Sequence, residues 1–304
     1  MKNKSTLNKP LLNNFKIGIA ISTYNSAKVI RKSLSVLKNQ NYKIVVFDDL
    51  SQDNTLKIAK SIIPDLEVIK GNGSGWWGGG TAKAVDKCFS LGCDFVLMLN
   101  PDTIIHPKDI SHLVDYTSKN SRIISTGLIV RYDDKKKLFW GGSVQIKSMG
   151  IPIYASRYIY RKNFDVTKIS SKPYQTDEVH GRGVLVSKSV YKIIGTLDWR
   201  KFPHYGADND YSMRAKSAGI KMMILPKVKI NLLTENSGMK LKSKPFSFCR
   251  IKEVYNFLMK RKNGEYISVL WRLHCRHISP ILVIPSFLIN LIYITFRKLS
   301  QSRL

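Results

Sequence analysis

Four groups of side chains in this chain have the types and spacing to do chemistry. "HYGADNDYSMR" (204–214) puts Asp208 and Asp210 at the expected start of a helix, with Arg214 one turn later. Two acids in a first helical turn serve the helix dipole, and a carboxylate aimed into a cleft can also take a proton from an attacking hydroxyl. "LMLNPD" (97–102) ends a buried apolar run at Asp102. A carboxylate there suits a capping turn, or a Mg2+ or Mn2+ ion held largely by substrate phosphates. "VVFDD" (45–49) delivers Asp48 and Asp49 side by side. "GNGSGWWGGGTAKAV" (71–85) sets Gly73, Gly75 and Gly78 in the G-x-G-x-x-G spacing of a dinucleotide-binding turn.

The elements that must hold these groups follow from the hydrophobic pattern. "KIGIAIS", "YKIVVFDD", "LEVIKGN" and "CDFVLMLN" are short apolar runs that read as buried strands. Between them lie stretches with helical spacing. These are Ala27 to Lys38, then a helix capped by Asp53 and closed by Pro64, then about Thr81 to Leu91. Another helix is expected at about Asp208 to Ser217. Strand–helix alternation predicts an α/β fold with a mostly parallel sheet covered on both faces. Ligands gather at the carboxyl ends of such strands. Thr23-Tyr24-Asn25, Asp48-Asp49, the glycine stretch and Asn100-Pro101-Asp102 all fall there. The order is wrong for a dinucleotide site, because the glycines follow the third strand and the acids precede them.

Composition narrows the partners. Fifty Lys and Arg against twenty-one Asp and Glu leave a formal charge of +29, which favours anionic ligands or surfaces. The basic residues are diffuse and form no nucleic-acid motif, so no nucleic-acid partner is expected. Four cysteines without C-x-x-C spacing read as free thiols. Residues 1–15 read as a basic flexible tail without a secretory signal, so the catalytic part is expected to face the cytoplasm. Residues 236–304 carry thirteen Lys or Arg and two acids, and Ile278 to Phe296 is uncharged over nineteen residues. This helical C-terminal region reads as interfacial or re-entrant in a membrane, as a span, or as a buried helix kinked at Pro285.

Five motifs in order give the chain a resemblance. "AISTYNSAKVIRKSLSVLKNQ", "IVVFDDLSQDNT", the glycine stretch, "LNPDTII", and "GRGVLVSKSVYKIIGTLD" with "HYGADNDYSMRAKSAG" resemble the inverting family-two glycosyltransferases of the GT-A fold. The glycine stretch is similar to that of a rhamnosyltransferase-like subgroup. The resemblance runs from about Lys16 to Pro226 and implies a GT-A domain over 16–235. It implies that Thr23, Tyr24 and Asp49, with Asp48 beside it, bind the donor nucleoside, that Asn25 of the same T-Y-N loop contacts substrate, and that Asp102, beside Asn100, holds a divalent cation. Asp208 would be the base, with Asp210 beside it. Gly181, Arg182 and Gly183 would form an acceptor-side loop. Gly75, Trp76, Trp77, Gly78 and Gly79 would wall the sugar pocket, although both tryptophans also suit a core. His204 suits either the site or packing. The implied donor is a nucleotide-diphosphate sugar. The acceptor would be a saccharide or a lipid-linked one in bacterial surface polysaccharide synthesis, handled at the inner face of an anionic membrane. Ala207 stands where the family carries an acid, and Asn100 replaces the first acid of a D-x-D. The competing readings are a nicotinamide-dependent oxidoreductase, from the glycine spacing alone, and a nucleotidyltransferase.

Overall fold

The computed structural model describes residues 15–148, 151–233, 243–259 and 266–300. The expected tail, all but Phe15, and the "TENSG" stretch after Leu233 lie outside the described residues.

The apolar runs form the centre of a mixed sheet. β1 (Ile17–Thr23), β2 (Tyr42–Asp48), β3 (Glu67–Lys70) and β4 (Phe95–Leu99) run parallel in the order β3-β2-β1-β4. β11 (Val184–Ser187) inserts antiparallel between β4 and β6 (Ile123–Arg131). β12 (Lys221–Leu232) then continues parallel to β6 and carries β10 (Tyr174–Thr176) antiparallel on its outer edge. β5 (Thr103–Ile105) pairs with the end of β12. β1 is buried at every residue, as a strand covered on both faces must be.

Alternate side chains feed two cores. Ile19, Ile21, Val46 and Leu97 face α1 (Ala27–Ser35), α2 (Thr55–Ile62) and α4 (Pro107–Ser118). Ala20, Val45, Phe47 and Val96 face α3 (Trp76–Ser90), α5 (Lys188–Ile194) and α6 (Ala207–Ser217). Three expectations shift. α1 stops at Ser35. Asp53 accepts from the Ala27 amide (3.0 Å) as well as the Thr55 amide (3.0 Å), so one carboxylate holds the starts of both α1 and α2. The helix expected from Thr81 begins five residues earlier, at Trp76, and takes the glycines into its first turns.

The C-terminal region adds α7 (Phe248–Met259), α8 (Tyr266–His277) and α9 (Val283–Ser300). α8 buries Val269 and Leu273 in the second core, and a Cβ at Gly206 would lie 2.6 Å from Val269. α9 lies beside β9 (Ile151–Tyr158), which pairs antiparallel with β8 (Ser143–Ser148). Pro285 falls in the first turn of α9, where a missing N–H costs nothing, and so it produces no break. Pro280–Ser300 is long and apolar enough to cross a membrane by length and composition. All four cysteines are free.

Candidate active site

The carboxyl ends of β1 and β2 present two unpaired polar atoms. Thr23 and Asp48 are register partners. The Thr23 hydroxyl and Asp48 Oδ1 are buried and without hydrogen-bond partners, while the other Asp48 oxygen accepts from the Ser51 amide (3.1 Å). Buried orphan acceptors are costly, which suits a ligand that arrives with donors. Tyr24 stands exposed above them. Asn25 takes a left-handed backbone (φ 46°) and clasps the neighbouring loop, accepting from the Gln52 amide (2.8 Å) and donating to Ser51 Oγ (2.9 Å).

Asp49 has the opposite fate. Its Oδ1 accepts from the amides of Gly73 (3.0 Å) and Gly75 (3.1 Å), and its Oδ2 from that of Trp76 (2.8 Å). A protein carboxylate thus occupies the amides that a dinucleotide turn would offer to pyrophosphate. The glycines themselves face protein. A Cβ at Gly75 would meet Phe47 at 2.7 Å, one at Gly78 the Pro203 carbonyl at 2.7 Å, and one at Gly80 Ser22 Oγ at 2.2 Å; Gly79 abuts Trp199. They let α3 sit tightly on the sheet, so the expected glycine wall of the pocket is a helix packed from behind.

Trp77 is the joint of the site. Its indole N–H donates to Asn100 Oδ1 (2.8 Å), and its ring lies so close to Gly181 that a Cβ there would be 2.0 Å away. It thereby links the Asn100–Asp102 turn to the loop entering β11. In that turn Thr103 Oγ1 donates to the Asn100 carbonyl (2.8 Å), and the Asp102 carbonyl accepts from Leu233 (2.8 Å), so the end of β12 lies beside Asp102. Gly183 (φ 82°) donates to Met98 O (2.8 Å), and the adjacent Arg182 is half-buried with its Nε unpartnered.

Asp208 opens α6, which follows Gly206 in the left-handed region (φ 80°). Its Oδ2 accepts from His180 Nδ1 (3.2 Å) and its Oδ1 from the Asn209 amide (3.0 Å). Both side chains remain partly exposed. Burial pushes the Asp208 carboxyl up, but His180 and the backbone amides more than offset it and hold it below the usual carboxylate range. The His180 ring stands edge-on to Trp140 (4.6 Å). Ala207, where the family carries an acid, is fully buried.

Asp210, two residues on, points elsewhere. Its fully buried carboxylate pairs with Arg214 Nε (2.8 Å), Arg276 Nε (3.2 Å) and His277 Nε2 (2.9 Å). The last two come from α8, so Asp210 docks the C-terminal helices and leaves no free oxygen for substrate. His204 lies between Trp76 (5.4 Å) and Tyr205 (4.3 Å). Its imidazole is held below the ordinary histidine range by burial, against the opposing pull of Asp208. His180 carried no signal of its own in the sequence beyond its place in "HGRG"; only the fold shows its pairing with Asp208.

Among the described residues, no three His, Cys, Asp or Glu side chains gather as a metal cage. Asp102 alone, with the Asn100 amide oxygen near it in the same turn, suits a hard cation that takes most of its oxygens from a ligand's phosphates.

Residues 18–193, more than half of the chain, match the Glycosyl transferase family 2 profile. The chain belongs to that family. It is a glycosyltransferase. It is 28% identical to an uncharacterized protein of Methanocaldococcus jannaschii, over 74% of this chain and 85% of that one. It is 26% identical to the dTDP-rhamnosyl transferase RfbF of Shigella flexneri, over 71% of this chain and 69% of that one. A UDP-N-acetylglucosamine–dolichyl-phosphate N-acetylglucosaminyltransferase of Methanococcus voltae is 28% identical over 35% of this chain and 49% of its own length. Among solved structures, GalNAc-T7 with UDP, GalNAc and Mn2+ superposes with a TM-score of 0.59 at 14% identity, covering 93% of this glycosyltransferase and 56% of that chain. That likeness shows the GT-A fold.

Proposed function

We propose that this glycosyltransferase moves a sugar from a nucleotide-diphosphate sugar to a hydroxyl of a saccharide or lipid-linked acceptor, in one displacement with inversion. The observation that carries the reading is the setting of Asp208: its carboxylate is partly open, bonded to His180 and to the first turn of its own helix, and held below the usual carboxylate range by them. Such a carboxylate takes the hydroxyl proton as the hydroxyl oxygen bonds to the anomeric carbon. The bond from that carbon to the diphosphate breaks, and the nucleoside diphosphate leaves with the electron pair. No enzyme nucleophile is required.

Thr23 and Asp48 would hold the nucleoside through their unpartnered oxygens. Asp102 would hold a Mg2+ or Mn2+ ion, which supplies neutralising charge to the departing diphosphate. Arg182, whose Nε is unpaired, would add a fixed positive charge there. That GalNAc-T7, of the same fold, was solved with Mn2+ and UDP supports a divalent cation and a nucleotide donor as classes of ligand, and the RfbF relative supports a sugar nucleotide of the dTDP class.

The C-terminal helices support work at a membrane face. Ile284, Leu288, Ile292 and Phe296 form an exposed stripe at i, i+4 spacing on α9, and Phe248, Ile251 and Tyr255 are exposed on α7. Lys252, Arg297 and Lys298 lie on the same helices. This arrangement fits an interfacial seat on anionic lipid at the cytoplasmic face, where surface polysaccharide precursors are built.

The test is a donor screen that follows release of dTDP, UDP or GDP, run with wild type and Asp208→Asn, with and without EDTA. Roughly a hundred- to ten-thousand-fold loss of transfer is expected in Asp208→Asn. Wild-type transfer by that variant would remove the base assignment, and transfer unchanged in excess EDTA would remove the cation.

A further inference from the structure

Trp76 is held in a conformation that nothing in its own packing explains. It is the first residue of α3 and takes a left-handed backbone (φ 51°), which bulky L-residues avoid. A glycine would adopt that backbone freely. Burial of the indole does not offset the strain, because Trp76 is 37% exposed. The backbone is instead pinned by the Asp49 carboxylate, which accepts the Trp76 amide at 2.8 Å. Strain that the surroundings over-determine collects at ligand sites.

The ring does not stand alone. It rests against His204 (5.4 Å, planes 42° apart), and His204 rests against Tyr205 (4.3 Å), which is also 37% exposed. The mount is rigid: the Gly78 amide donates to Pro203 O at 2.8 Å, joining the first turn of α3 to the segment that carries both other rings. One residue after Tyr205 comes Gly206, and then α6 with Asp208. His204 and Tyr205 precede Asp208 by four and three residues, so the aromatic cluster stands at the entry to the helix that carries the base.

We propose that Trp76, His204 and Tyr205 form the acceptor subsite, a platform for the apolar C–H face of a pyranose ring whose hydroxyl is then presented to Asp208. The proposal rests on the reading of Asp208 as the base, and it goes further by choosing the acceptor class. A pyranose offers a flat patch of C–H groups ringed by hydroxyls, and aromatic rings with a polar edge match both. The same surroundings disfavour the other acceptor class, a lipid phosphate with no sugar. An ionised phosphate needs no base, and here it would approach the Asp208 carboxylate, which is held in its charged form by His180. Like charge at close range rejects such a ligand. The acceptor is therefore sugar-terminated.

The experiment uses the full chain loaded with nucleoside diphosphate and Mg2+. Saturation-transfer NMR is recorded against a panel of methyl glycosides of common hexoses and 6-deoxyhexoses, and against polyprenyl phosphate in detergent. At least one glycoside is expected to be saturated at its ring C–H protons, and polyprenyl phosphate is not expected to compete with it. Trp76→Gly keeps the backbone and removes the ring, so it is expected to fold. It should weaken glycoside binding roughly tenfold or more, while nucleotide affinity measured by calorimetry stays within twofold. Tyr205→Ala should weaken it in the same direction. Saturation of no glycoside, displacement by polyprenyl phosphate, or a loss of nucleotide affinity in Trp76→Gly equal to the loss of glycoside binding would overturn the proposal. Because binding is read without turnover, failure of the Asp208 assignment would show separately, as transfer surviving in Asp208→Asn.

Discussion

The proposed donor end and the proposed acceptor end of the site each contain two neighbouring aspartates, and in each pair the two carboxylates have opposite fates. At the donor end Asp49 is saturated by three backbone amides, while Asp48 keeps a buried oxygen without a partner. At the acceptor end Asp210 is closed in by Arg214, Arg276 and His277, while Asp208 keeps only His180 and a neighbouring amide. One member of each pair builds the frame and the other faces the cleft. The means differ. The donor end spends its structural acid on backbone N–H groups, which fix the start of α3. The acceptor end spends its own on cations from a distant helix, which fix α6 against the C-terminal region.

Substitutions can break this contrast. The largest effect is expected at the acceptor end. Asp208→Asn should lower transfer by roughly a hundred- to ten-thousand-fold with little change in melting temperature. Asp210→Asn should do the reverse in kind. Removing one partner of a buried ion pair costs about 3–5 kcal/mol, so thermal denaturation should show a large fall in melting temperature. Equal loss of activity and unchanged stability in both variants would erase the distinction.

The donor end should give smaller effects. Asp49→Asn cannot accept three amides with one carbonyl oxygen, so it should destabilise the start of α3 by about 1–3 kcal/mol. Asp48→Asn should leave denaturation nearly unchanged and raise the donor KM. Steady-state kinetics beside denaturant melts would separate them.

The smallest effect is in pH. The Asp208 carboxyl is held below its usual range by His180 after burial has pushed the other way. A base with a depressed pKa stays active as pH falls until that low value is reached. The acid limb of kcat/KM should therefore lie below the ordinary carboxylate range, and His180→Phe should move it upward. Asp210 follows the same sign for stability: its depressed pKa means that the stabilisation is present above the ordinary carboxyl value and is lost as pH falls through the folded one. An unshifted limb in His180→Phe would leave His180 as packing alone.

Much of this arrangement was legible in the sequence, for a physical reason. Buried parallel strands must be apolar on both faces, so β1, β2 and β4 announce themselves, and their polar ends mark the cleft. The start of α3 was not legible. Dense glycine reads as loop, and only the fold reveals that Phe47, Ser22 and the Pro203 carbonyl leave no room for side chains on that helix. Neither was the division of labour between Asp208 and Asp210. Both look like acids of a first helical turn, and the partners that separate them, His180, Arg276 and His277, come from 28 to 67 residues away. Asp53 misled in a milder way, since its carboxylate serves two helices where local spacing suggests one.

The grip of α8 on Asp210 also bears on how the molecule opens. Because α6 is held on one side by buried ion pairs from α8 and carries Asp208 on the other, the two helices belong to one cooperative unit. Amide hydrogen exchange should find them protected to the same degree and released together by mild denaturant, ahead of the central strands. Activity would then be lost at the release of the C-terminal helices, while the central sheet is still intact.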